Sequence, residues 1–208
     1  MTTAKFYALT FRLGRRARIR GFDVRALLPS RTEWQAIKTR IGEALRLIEL
    51  HSPVRFRHLQ RDIRRIWVTG IPSRGVFVHD YALCVIDFDY AVATDTRSEE
   101  LALTLVHEGM HARLRRCGFG YEEAIRARIE RICIRSELSV ARRFSECRDI
   151  IERKEARLGW NDQEWSDETI RRDHFEHLND LGWSGRLAYG ISSFLTRKPW
   201  RRSNERCS

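Results

Sequence analysis

The chain has 208 residues, 42% hydrophobic and 32% charged, which is enough for one core-bearing domain and too apolar for a disordered chain. It contains no run of about 18 apolar residues, so a transmembrane helix is not expected. The formal net charge is +11, from 39 Lys+Arg against 28 Asp+Glu, and 35 of the 39 basic residues are Arg.

Such a charge suits an anionic partner. The arginines cluster only at 12–20, 55–65 and 197–206, and across 121–157 they alternate with Glu at spacings that allow pairing along a helix. No recognised nucleic-acid motif accompanies them, so specific nucleic-acid binding is not expected. Cys84, Cys117, Cys133, Cys147 and Cys207 are odd in number and widely spaced, without a CxxC pair. That excludes a disulfide framework and a Cys-rich zinc knuckle, and free thiols fit a reducing compartment. The N-terminus lacks the order of a signal peptide, because its charges follow the short apolar run. A cytoplasmic location is the expectation.

In chain order, residues 1–28 are ambiguous, with a strand expected at Lys5–Leu13. Ser30 followed by Glu33 forms a capping box, and Trp34, Ile37, Ile41, Leu45 and Ile48 recur at helical spacing. These predict a helix over 31–50, ended near Ser52-Pro53. Ile66–Val68, Val76–Val78 and Leu83–Ile86 are β-prone runs punctuated by Gly70, Pro72, Gly75 and Asp80. They predict a small, mainly antiparallel sheet. Thr96 and Glu99 offer a second capping box before a helix over 98–115, and Gly118 and Gly120 mark a reversal. One long helix is expected over 121–157, broken at Gly159-Trp160-Asn161, then a further helix over 167–181 and a basic tail over 197–208. The fold class is α+β, one domain over 1–208, with the sheet packed on the 98–115 helix.

That helix carries the chemistry. Leu101 to Leu114 contains His107-Glu108-Gly109-Met110-His111, an HExxH pattern. Seven His and 17 Glu in this chain would give it by chance about 0.02 times. Histidines at i and i+4 lie one turn apart on one face, so both imidazoles can reach one ion. Glu108 is offset by about 100° from His107. It can stand beside the ion without ligating it and take a proton from activated water. Neutral imidazoles and one open position suit zinc.

A third ligand is required. The HExxHxxGxxH continuation is absent, since position 117 is Cys. If the chain reverses near 118, the returning helix places Glu130 beside residue 106 and Glu123 beside residue 113, with Glu137 beyond the motif. Glu130 is the first choice and Glu123 the second.

At His107, Glu108, His111 and Glu130 the chain resembles the gluzincin metallopeptidases, the thermolysin-like class with HExxH on one helix and a ligand Glu on the next. The resemblance covers about thirty residues. It implies a zincin-like domain, zinc as the metal, a peptide or protein substrate, and a β-edge strand at Tyr81–Asp87 that binds extended peptide. One departure stands out. The class has an Asp four residues after the ligand Glu, and here that position is Ile134. Another carboxylate must orient the first His, and Glu137 is a candidate. Tyr121, His174, His177, Tyr189 and several arginines remain open as stabilisers of a developing oxyanion. The expected function is therefore zinc-dependent peptide hydrolysis with Glu108 as general base. The alternative is a basic nucleic-acid-binding or regulatory protein whose zinc is structural or vestigial.

Overall fold

Arg20 and Gly21 both take positive φ, 46° and 92°, which is the requirement of a two-residue hairpin turn matched to strand twist. They join Arg15–Ile19 (β1) to Phe22–Ala26 (β2), with Ile19 opposite Phe22. The hairpin follows the strand expected at Lys5–Leu13 and has no counterpart in the sequence reading. The computed structural model describes residues 11–166 together with 168, 169 and 172. Within that range residues 11–13 are helical, and the rest of the expected strand lies outside it. Phe22, Val24 and Ala26 alternate inward along β2, with the charged Asp23 and Arg25 between them.

Arg31–His51 (α1) begins as its residues dictate. The Ser30 hydroxyl accepts from the Glu33 amide at 3.2 Å, and the Ser30 amide donates to the Glu33 carboxylate at 2.7 Å. Ser30→Ala should lower the unfolding free energy by about 1 kcal/mol, read as a shifted urea midpoint with an unchanged slope. Ile37, Ile41, Leu45 and Ile48 form its buried face. Pro53 does end α1, but it also opens a second helix, Pro53–Asp62 (α2), as the first-turn residue whose missing N–H is not needed.

α1 and α2 together form the crossover that lets Arg65–Thr69 (β3) pair parallel to β2. Gly75–Val78 (β4) and Leu83–Asp87 (β5) follow, with β5 parallel to β3 and antiparallel to β4. The sheet order is β1-β2-β3-β5-β4. The sheet is thus mixed rather than mainly antiparallel. β5 inserts between β3 and β4, so Tyr81–Asp87 does not supply an edge; the edge beside the HExxH helix is β4. One face of the sheet packs Val24, Ile66, Val68 and Ile86 on α1, α2 and the HExxH helix, and the other gathers Trp67, Leu83 and Val85 around Phe11.

Phe88–Val92 (α3) is a short helix, capped by the Asp87 carboxylate. Ser98–Arg116 (α4) carries HExxH and is buried along most of its length. Its expected Thr96–Glu99 capping box does not form. The residue before the helix is Arg97, whose guanidinium ion-pairs with Asp149 at 2.6 Å. Gly118 reverses the chain at φ 87°, and Glu123–Ala141 (α5) returns along α4.

The single helix expected over 121–157 is two. The chain turns at 142–147 before Arg148–Leu158 (α6). Phe144 and Cys147 are buried there in the main core, and Arg143 donates to the His51 carbonyl at 2.9 Å. Core anchoring, not Gly or Pro, breaks the helix. α6 ends at Gly159 as expected. The segment 167–181, apart from 168, 169 and 172, and everything from 173 onward, including the basic tail, lie outside the described residues. No helix among the described residues is long and apolar enough to cross a membrane.

Several arginines pair between elements rather than along one helix: Arg97–Asp149, Arg142–Glu155 and Arg153–Glu100. Arg148–Glu152 and Arg46–Glu43 are the within-helix kind.

Candidate metal centre

α4 brings His107 and His111 together. Their Nε2 atoms are 3.1 Å apart. From α5, the two carboxylate oxygens of Glu130 reach His107 Nε2 at 3.2 Å and His111 Nε2 at 3.4 Å. A tetrahedral ion with ligands at about 2.0–2.1 Å has ligand–ligand edges of about 3.3–3.4 Å. The three separations are close to that length, with one Glu130 oxygen facing each imidazole, so the donor set suits a small divalent ion. Sulfur adds a further ligand type. The His107 and His111 nitrogens and Cys133 Sγ all lie within 4.8 Å of one another, a group able to hold a metal ion. Cys133 sits one turn beyond Glu130 on the same face of α5, and the sequence reading had assigned it no role.

The hairpin arithmetic placed Glu130 correctly but set the reversal too early. α4 ends at Arg116 and α5 begins at Glu123, so the turn centres near 120. That shift moves the position facing Glu137 from about 99 to about 103, one turn from His107, and its carboxylate lies 2.6 Å from His107 Nδ1. With Glu137 accepting from Nδ1, that nitrogen would keep its proton when an ion took the place of the proton on Nε2. Glu137 in turn is ion-paired to Lys154 of α6. Lys154 is one of only four lysines in the chain, and nothing in its local sequence marked it out. Glu123, the second choice, lies in the exposed first turn of α5, about 10 Å along the axis from Glu130 at about 1.5 Å per residue. His174, His177 and Tyr189 lie outside the described residues. Tyr121 is brought in: its hydroxyl donates to Glu130, and its ring stands edge-on to His111 with centroids 5.2 Å apart.

Burial and charge compete here. Burial alone would lower the His107 pKa, but Glu137 and Glu130 overcome it and push it up to about 10. Burial would likewise raise Glu130 and Glu137, yet the imidazoles hold both below the usual carboxylate range, with Lys154 adding to the effect on Glu137. Glu108 goes the other way. It is 5% exposed, and burial raises it against the pull of His107 and His111. The Cys133 thiol and the Tyr121 hydroxyl are pushed up, by burial first and by Glu130 second. Three buried carboxylates around two imidazoles leave a place that positive charge stabilises.

β4 closes one side. A side chain at Gly75 would meet Thr104 Cγ2 at 2.8 Å and the Glu108 carboxylate at 3.2 Å, so the glycine lets the edge strand lie directly against the Glu108 side of α4. Removing the His107 support gives a clean test of the arrangement. Glu137→Gln should keep the fold while weakening zinc binding about 10–100-fold, measured by competition with a chromogenic chelator. An affinity equal to wild type would separate Glu137 from the metal centre.

In comparisons with known proteins, no family model, no curated protein and no solved structure matches this chain.

Proposed function

We propose that the chain is a zinc-dependent hydrolase of peptide bonds, in which His107, His111 and Glu130 hold the ion. The observation that carries this reading is the convergence of His107 Nε2 and His111 Nε2, 3.1 Å apart, on the two oxygens of Glu130, at 3.2 and 3.4 Å, with Glu108 buried next to them. Zinc bound there supplies Lewis acidity toward a carbonyl oxygen and makes water nucleophilic near neutral pH. Glu108, buried beside the imidazoles, would be the base that takes a proton at its carboxylate and returns it to the leaving amine. Its raised pKa suits a group that must both take and return a proton. Glu137 fixes the His107 ring and its tautomer. Tyr121, kept protonated by burial and by Glu130, donates its hydroxyl to that carboxylate and so positions Glu130 toward the imidazoles. β4 is an edge strand running beside α4, so an extended peptide adds to its outer edge by main-chain hydrogen bonds.

Cys133 favours a second reading. Its Sγ lies with the His107 and His111 nitrogens in a group able to hold a metal ion, and a site completed by a buried thiolate in this way is structural. Cys133→Ala separates the two. Under hydrolysis, the variant keeps one zinc per chain and its turnover of a peptide library. Under the structural reading, it loses zinc and stability together, and neither form turns over substrate.

A further inference from the structure

The side of α4 away from the imidazoles holds a second polar cluster. Arg55 and His58 of α2, Arg113 of α4 and Ser136 of α5 line a small, partly open cleft. Gly109 lies at its base and, lacking a side chain, lets α2 approach closely through Leu59. Three buried polar atoms in this cleft have no hydrogen-bond partner among the described residues: His58 Nδ1, Arg113 Nη1 and Ser136 Oγ. Ser136 is 3% exposed. Burial disfavours the Arg55 charge, and Arg113 and Arg143 add to that repulsion. The nearby acid, Asp62, is already engaged by Arg61 and Arg116, each at 2.8 Å. Two guanidinium groups, an imidazole and a hydroxyl thus line the cleft, and the acid whose charge reaches Arg113 and His58, Asp62, is hydrogen-bonded elsewhere. Native interiors rarely leave buried donors unmade, and guanidinium forks match oxyanions in both charge and geometry.

We propose that this cleft binds a small phosphate-class oxyanion, held by Arg55, Arg113, His58 and the Ser136 hydroxyl. The donors face it from three helices, so the ion ties α2 and α5 to the HExxH helix from behind. None of these residues belongs to the metal centre, and either outcome below leaves the zinc reading where it stands.

The test is isothermal titration of the full chain with inorganic phosphate at physiological salt, after treatment with chelator so that phosphate on a metal contributes nothing. A saturable one-to-one isotherm is expected, with sodium chloride at matched ionic strength giving none. Arg55→Gln and Arg113→Gln, which keep much of the stem packing, should each weaken binding at least about tenfold. Arg115→Gln, an exposed neighbour on α4, should leave it unchanged. Absence of saturable heat with the unmodified chain overturns the proposal whether or not the variants fold. Unchanged affinity in a folded Arg55→Gln/Arg113→Gln double variant overturns it as well.

Discussion

His111→Ala is expected to purify without zinc, and its melting temperature to be indifferent to chelator. In the wild-type chain about one zinc per molecule is expected, and chelation should lower the melting temperature sharply. Ligand that binds only the folded state stabilises by about 4 kcal/mol at a thousandfold excess over Kd. At about 2–4 °C per kcal/mol for a chain of this size, that is a fall of roughly 10 °C. His107→Ala should lose the metal too, with a further cost: Glu130 and Glu137, 7% and 0% exposed, would lose the imidazole between them. An uncompensated buried carboxylate is expensive, so His107→Ala should melt below chelated wild type and His111→Ala close to it. Wild-type protein that takes up no zinc, with both variants melting as it does, would sink the metal reading.

Glu108→Gln should retain zinc at wild-type stoichiometry while turnover of peptide substrates falls by about 10²–10⁴-fold, the usual contribution of a positioned general base. The change is close to isosteric, and it removes a buried carboxyl whose charged form burial disfavours, so stability should hold or rise. A Glu108→Gln protein as active as wild type would remove Glu108 from the chemistry. Gly75→Ala offers a geometric companion to this test. Its added methyl would press on Thr104 and on the Glu108 carboxylate, so activity should drop although no reacting group is altered.

Local signals account for what was legible in advance. The Ser30–Glu33 capping box, the apolar spacing of α1 and the HExxH helix are each written within a few consecutive residues, and each formed where its pattern lay. Glu130 was reachable because a hairpin with a glycine turn converts sequence distance into spatial distance. A turn centre misplaced by about two residues shifts the facing position by about four, which set Glu137 beyond the motif. Yet its place further along the ligand face made it the candidate to orient His107, and its carboxylate does contact Nδ1.

The sequence by itself determined an α+β chain with two imidazoles and a buried Glu on one helix, and a carboxylate on the next helix within reach of both. Only the tertiary structure decided the rest. Strand order is set by crossover packing, so β5 went to the interior and β4 to the edge. The helix expected over 121–157 broke because Phe144 and Cys147 gained burial in the core, a gain no local propensity records. Lys154 beside Glu137, Tyr121 on Glu130 and Cys133 facing the imidazoles are pairings between elements. Their partners are chosen by how helices dock, because a buried charge must find its counter-charge wherever packing places one.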